Sequence, residues 1–433
     1  MKKIEFDSSA LFDKALQLYF PHKDSQNLNS QSWDQLQQWT ADSSGLSSYR
    51  EGVRKAWGLQ ESQWIAERLR KRFQRMIVLG IGGSALGARA GLSALAWSIP
   101  KGSERKLVII DNLDPLWMHQ ELQRDLSDTV FAVISKSGGT VETVSQLSEV
   151  LRVLGQSSLK AQDHIVVVTD PESGALRQWT NENKIPSLDL DPRLGGRFSV
   201  LSPVGYLPLA FAGLDVAALH SGARFFFEES AHWLVPLAER LVELESQGVR
   251  AINLLSYSSA LREMGAWFVQ LWGESLGKKR SAVQSTGMLP ISSVGATDQH
   301  SLLQYLLDGP NQVVTGVVTI ASWPSLGPNE PHVAKVPPEF SKQSFLAGHR
   351  FSEILSAEAE ATFEALKLSE RPVFRMIWPE LSAQTVGQWF AAWMDLTVLC
   401  AARLQVNPFD QPGVERIKLR IPAALTRSQE SAL

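Results

Sequence analysis

Short apolar runs, each closed by glycine or hydroxyl residues and followed by a segment of helical period, constrain this chain more than any other feature. "ESQWIAERLRKRF" places Trp64, Ile65, Arg68 and Leu69 at helical spacing. "MIVLGIGG" (76–83) reads as a buried strand ended by glycines, and "SALGARAGLSALAW" as the helix after it. The alternation continues through "KLVIID", "PLWMHQELQRDL", "TVFAVIS", "TVETVSQLSEVLRVL", "HIVVVTD" and "GALRQWTNEN". Strands that are apolar throughout, separated by helices, predict a parallel sheet covered on both faces. A Gly/Pro-rich crossing, "DPRLGGRFSVLSPVG" (191–205), ends this first unit.

A second cycle follows. It has strands at "AINLLSYS", "QVVTGVVTIA" and "RPVFRMIWPEL" and helices at "AERLVELESQG", "ALREMGAWFVQLWGES", "QHSLLQYLLDG" and "AQTVGQWFAAWMDLTVLCAARL". The expected architecture is therefore two doubly wound α/β domains with parallel sheets, over 51–205 and 206–420. The polar residues 1–50 read as an arm of short helices and 421–433 as a tail. A length of 433 residues fits two or three domains at roughly 150 residues each. In such sheets ligands sit at the carboxyl ends of strands, near a topological switch point.

Composition narrows the partners. A net charge of −3 offers no bulk attraction to nucleic acid or anionic lipid, so any anion site must be local. No segment approaches 18 consecutive apolar residues, and no membrane span is expected. The N-terminus "MKKIEFDSSALFDK" has no apolar core of a secretory signal. The single cysteine, Cys400, lies in the apolar "WMDLTVLCAARL" and reads as a buried helix residue. A chain with these features is expected in the cytoplasm.

Two loops of the first unit follow strands and precede helices, where unpaired N–H groups and the helix dipole favour anions. In "SKSGGT", Ser135, Ser137 and Thr140 supply hydroxyls, Lys136 a charge, and Gly138 and Gly139 a backbone able to turn sharply. That set suits a phosphate monoester better than a simple capped turn. The other loop, "GIGGSA" (80–85), with Gly83 and Ser84, also matches the dinucleotide fingerprint G-x-G-x-x-[GA]. That reading needs an acid about 20 positions on. Asp111 is 31 residues beyond Gly80, so the match is weak.

Three later stretches carry charge within apolar surroundings. Glu274 in "FVQLWGESLGKK" reads either as an acid–base carboxylate or as a surface acid paired with Lys278. Asp298 in "GATDQHSLLQ" reads as an N-cap, with His300 in the first helical turn. "NPFDQPGVERIK" is a Pro/Gly-fixed loop that aims Gln411 and Lys418. Arg197 in "GGRFS" suits stabilising an oxyanion or bracing a domain junction. The eight histidines (22, 119, 164, 220, 232, 300, 332 and 349) form no H-x-x-x-H or other close ligand pair, so no metal is expected.

Taken in order, "GIGGSALG", "SKSGGTVET", "GGRFSVLSPVG", "WGESLGK", "DQHSLLQ" and "NPFDQPGVERIK" resemble the glucose-6-phosphate isomerase family over residues 76–418, in its shorter bacterial form. The resemblance implies two sugar-isomerase α/β/α domains in a homodimer that needs no cofactor. It implies that Ser135, Lys136, Ser137 and Thr140, with Gly83 and Ser84, hold the 6-phosphate of a hexose. Glu274 would be the base, His300 and Lys418 would open the ring, and Arg197 would offset enediolate charge. Gln270, one helical turn before Glu274, and Gln411 would bind the sugar. His300 would reach in from the partner subunit. The two glycines of "SKSGGT" depart from many members, which have bulkier residues or threonine there.

Three other readings remain open on sequence. A phosphosugar-binding regulator would need the hydroxyl loop but not Glu274, His300 and Lys418 together. An isomerase that also accepts mannose 6-phosphate differs only in side-chain placement around C2. A nicotinamide-dependent oxidoreductase rests on the "GIGGSA" loop alone.

Overall fold

In the first sheet, strands β2 (Arg75–Leu79) and β4 (Thr129–Ile134) pair in parallel, with Leu79 beside Val133. The loops that leave them therefore emerge side by side. β3 (Lys106–Ile110) flanks β2 on its other edge, and β5 (Ile165–Thr169) and β6 (Ser187–Asp189) extend beyond β4. The order β3-β2-β4-β5-β6 is parallel throughout. The chain winds one way from β2 to β3 and the other way from β4 on, so the switch point lies between the two loops picked out by their glycines. In this computed structural model the described residues are 1–7, 46–103, 105–229, 234–281, 283–325, 330–418 and 420–430.

The second sheet has the order β1-β10-β9-β7-β8. It comprises β7 (Ala251–Ser256), β8 (Leu289–Val294), β9 (Val313–Ser322) and β10 (Val373–Glu380) in parallel. β1 (Glu5–Asp7) closes the edge antiparallel to β10. Two expectations change here. The sheet is not wholly parallel, and residues 5–7 are strand rather than part of a helical arm. The short strand covers an edge that would otherwise present unpaired backbone groups. Most of the expected arm, 8–45, lies outside the described residues. The tail carries a helix, Ile421–Glu430.

Alternating side chains of β2 serve different cores. Met76 and Val78 join an apolar cluster that also contains Ile252 and Leu254 of β7. Ile77 and Leu79 face a separate cluster on the outer side of the first sheet. The two sheets thus share one core through a middle layer of helices, including Leu86–Leu95, Pro203–Ala212, Arg262–Leu276 and Ala383–Leu404. Aromatic side chains lock that layer. Trp267 meets Phe390 edge-on at 4.7 Å, Phe268 meets Trp393 at 4.6 Å, and Trp272 meets Trp393 at 6.0 Å. These contacts hold one face of Arg262–Leu276 and leave Gln270 and Glu274, spaced one turn apart, on another.

Candidate active site

Arg197 is the centre of the site. It lies in a single 3-10 turn, Gly196–Phe198, and is 4% exposed. Its Nε donates to Ser275 Oγ at 2.8 Å. Nη1 donates to Glu274 Oε2 at 3.2 Å and to Gln411 Oε1 at 3.4 Å. Nη2 donates to the main-chain oxygens of Pro408 and, at 2.9 Å, Asp410. A guanidinium has five N–H donors, and these bonds occupy all five. Burial pushes its pKa down, against the pull of Glu274 and Asp410.

Gln270 Nε2 donates to Glu274 Oε1 at 3.2 Å, so both oxygens of the carboxylate are engaged. Its own Oε1 is buried without a partner among the described residues. The glycine loop closes over this pair. A Cβ on Gly83 would fall 2.1 Å from the carbonyl carbon of Gly196, so only glycine allows the turn bearing Arg197 to lie there. Four residues from three motifs, Arg197, Gln270 with Glu274, and Gln411, therefore converge within hydrogen-bond reach.

The hydroxyl loop is preorganised by its own atoms. Ser135 Oγ lies 3.1 Å from Thr140 Oγ1 and accepts from Gly138 N at 3.2 Å. Ser137 Oγ lies 3.4 Å from Thr140 Oγ1. Gly138 has φ +67°, a left-handed conformation that side chains disfavour. The helix Val141–Gln156 begins directly after Thr140, whose side chain makes no capping bond to it. The first-turn N–H groups are thereby left to an anion. Lys136 is half-buried, and burial lowers its pKa despite Asp170 and Asp191 nearby. Ser84 ends the neighbouring 3-10 turn Gly82–Ser84. A Cβ on Gly80 would touch the Ile134 main-chain oxygen at 3.1 Å, so the two loops abut.

Two other residues stand apart. His300 ends the 3-10 turn Thr297–His300 and is exposed. Asp298 does not cap a helix; its Oδ2 accepts from Val294 N at 2.7 Å. Gln299 Nε2 donates inward to Thr362 Oγ1 at 2.7 Å. These two side chains pin the turn and leave His300 facing outward. Among the described residues no hydrogen bond or ion pair joins His300 to Arg197, Glu274 or the hydroxyl loop. Lys418 ends the helix Pro412–Lys418, and its side chain lies outside the described residues.

The surface pairing of Glu274 with Lys278 does not form. Lys278 is buried and pairs with Asp410, 2.7 Å from Oδ1. The role of Ser275, Lys278 and Asp410 in bracing Arg197 was not legible in their motifs, because it depends on segments 78 to 213 residues apart meeting. Asp111, the acid that dinucleotide binding would require, is held by Arg89 at 2.8 Å. Cys400 is buried, and burial raises its thiol pKa. Among the described residues no group of three His, Cys, Asp or Glu side chains gathers to hold a metal, and no helix is long and apolar enough to cross a membrane.

A family model described as phosphoglucose isomerase matches residues 53–431. The glucose-6-phosphate isomerase of Carboxydothermus hydrogenoformans is 35% identical over 386 residues, covering 85% of this chain and 82% of that one. That of Thermus thermophilus is 35% identical over 344 residues, covering 78% and 80%. Among solved structures, a hypothetical protein from Thermus thermophilus superposes with a TM-score of 0.84 at 28% identity, covering 98% of this chain and 100% of that one. A glucose-6-phosphate isomerase from Chlamydia trachomatis shares the fold, with a TM-score of 0.72 at 21% identity over 98% and 78% of the two chains. The chain belongs to the phosphoglucose isomerase family.

Proposed function

We propose that the protein interconverts glucose 6-phosphate and fructose 6-phosphate, the aldose–ketose step shared by glycolysis and gluconeogenesis. The observation that carries this reading is the convergence of Glu274, Gln270, Gln411 and Arg197 beside a hydroxyl-rich loop at a helix N-terminus. The loop Ser135–Thr140, with Lys136 and the neighbouring Gly83 and Ser84, holds the 6-phosphate. That anchorage positions the sugar, an effect able to remove roughly 7–11 kcal/mol from a barrier in favourable cases.

The closed ring opens first. His300 and Lys418 move the proton between the ring oxygen and the anomeric hydroxyl. Glu274 then takes the proton from C2 of the aldose, the C1–C2 enediolate forms, and the same carboxyl group returns the proton to C1. One carboxylate serves both carbons because they are adjacent, and no atom is gained or lost overall. Arg197 supplies positive charge in a water-poor setting, where fixed charge stabilises a developing oxyanion strongly. With all five donors engaged, it acts through its charge and by holding Glu274 and Gln411. Gln270 and Gln411 orient the sugar hydroxyls.

His300 faces outward from its own chain, which suits a homodimer in which it completes the partner's site. The two catalytic units are 51–205 and 206–420, and the protein acts in the cytoplasm without a cofactor. A coupled assay of the purified protein with fructose 6-phosphate, run with and without a chelator, tests the proposal. Turnover that survives chelation is expected. Binding of the phosphosugar without turnover would instead mark a sensor.

A further inference from the structure

Two cations meet on one peptide group. Lys278 lies just past the end of the helix Arg262–Leu276 that carries Glu274, and it is 9% exposed. Its Nζ donates to the main-chain oxygen of Asp410 and, at 2.7 Å, to Oδ1 of the same residue. Arg197 Nη2 reaches that main-chain oxygen at 2.9 Å. The side chain of Asp410 is itself 52% exposed. It is therefore the lysine, not the aspartate, that has been drawn out of water. A lysine on a four-carbon stem ordinarily keeps its head solvated, and burying that charge is costly unless a partner offsets it.

The grip has geometric content. One hydrogen bond to a carbonyl leaves its peptide free to swing. Bonds to both the carbonyl and the carboxylate of one residue fix the orientation of the peptide between Asp410 and Gln411. That peptide leads straight into Gln411, which meets Arg197, and into the helix Pro412–Lys418. Phe409, on the other side of Asp410, packs against Phe198 with ring centroids 5.1 Å apart. Remove the lysine, and the segment keeps its aromatic anchor and its bonds to Arg197 but loses the hold that joins the carbonyl of Asp410 to its carboxylate.

We propose that Lys278 is a positioning residue for the isomerase site: by holding Asp410 at both carbonyl and carboxylate, it sets where Gln411 and the helix bearing Lys418 stand against Glu274. The role rests on the isomerase reading above. It acts through Asp410 and involves no contact of Lys278 with the sugar.

Lys278→Met, Lys278→Arg, Asp410→Ala and the double variant Lys278→Met/Asp410→Ala test it. Hydrogen–deuterium exchange over residues 407–418 reads the hold on the segment whether or not the protein is an isomerase. Turnover of fructose 6-phosphate reads its consequence. Lys278→Met is expected to speed exchange in 407–418 while leaving 262–276 protected. It is also expected to lower kcat by about 10- to 100-fold, the scale that a displacement of ~1 Å can produce, with little change in KM. Lys278→Arg restores most of both. The double variant falls no further than the worse single variant, as expected of residues that act as a unit. Wild-type exchange and kcat in Lys278→Met would overturn the proposal, as would losses that multiply in the double variant. Should Lys278→Met fail to fold, Asp410→Ala alone decides, because its half-exposed side chain can be removed without emptying the core; unchanged exchange and kcat there would also overturn it. A wild-type protein with slow exchange in 407–418 that speeds in Lys278→Met, yet no turnover in any variant, would uphold the hold and refute the isomerase reading separately.

Discussion

Arg197 and Glu274 form an ion pair between the turn Gly196–Phe198 and the helix Arg262–Leu276, Nη1 to Oε2 at 3.2 Å, while Arg197 Nε bonds the next residue, Ser275, at 2.8 Å. One guanidinium thus fixes both a carboxylate and the helix end that carries it. Lysine has three donors on a single nitrogen and no planar fork. Arg197→Lys keeps the charge but cannot reach Ser275, Glu274, Gln411 and two carbonyls at once. Its kcat should fall on the order of 100-fold with a smaller change in KM. Its melting temperature should drop as well, because buried carbonyls lose partners. Steady-state kinetics and thermal melts check both; wild-type kcat would show that charge alone suffices.

Replacing the proposed base, Glu274, separates chemistry from binding. Glu274→Gln keeps the volume and still offers an oxygen to Arg197, but it cannot accept a proton from carbon. Fructose 6-phosphate should bind with near wild-type affinity by calorimetry, while turnover falls by about 10²–10⁴-fold. His300→Ala should also lower turnover when measured alone. Mixing the two inactive variants after denaturation and refolding should then recover part of the activity, since a mixed dimer would hold one site with both groups intact. No recovery would place His300 with Glu274 of its own chain.

The two glycines of the hydroxyl loop should respond differently to alanine. Gly138 has φ +67°, and a Cβ there would meet Leu176 N at 2.8 Å. Gly139 has open space around it. Gly138→Ala should cost ~1–3 kcal/mol of stability and raise KM for the phosphosugar, as a strained backbone pulls the hydroxyls apart. Gly139→Ala should leave the melting temperature and KM nearly unchanged. Melts and KM values for the pair check this, and equal effects would contradict it.

Lys136 makes a pH prediction with two signs. Burial lowers its pKa, so it loses its proton before an exposed lysine would. Its charged form attracts the phosphate dianion, which forms as pH rises through ~6. KM should fall through that range and rise again on the alkaline side, below the usual lysine value of about 10.4. Folding stability moves the other way there. The unfolded chain holds the Lys136 proton to higher pH than the folded one, so this group adds stability as pH rises through its folded pKa. Lys136→Met should raise KM at neutral pH and remove the alkaline rise. An unaltered profile would show that Lys136 does not face the phosphate.

Much of the architecture is legible because apolar strands buried on both faces have a strong local signature. β2, β4 and β5 read directly from "MIVLG", "TVFAVIS" and "HIVVVTD", and their flanking helices from their period. β8 does not. Its segment "LPISSV" contains Pro290 and begins with the exposed Leu289, and it is a strand because β7 provides a ladder for it. "SPVGYLPLAFAG", with two prolines and two glycines, gives every local signal of a turn. It nevertheless forms the helix Pro203–Ala212, buried almost all round, with Pro203 at its first position and Pro208 tolerated inside. There the gain from burial outweighs the local cost of a proline.

From its residues alone, the chain determined its two sheets and, through the family resemblance its motifs carry, its sugar-isomerase class, because both are written in short stretches of sequence. Only the tertiary structure decided that Arg197 would have no donor to spare, that Lys278 would leave Glu274 for Asp410, and that His300 would stand exposed, bonded to none of them. Those outcomes depend on segments 77 to 214 residues apart being brought within a hydrogen bond's length. A hydrogen bond across such a span belongs to the packing around the two sheets, and no local pattern of residues encodes it.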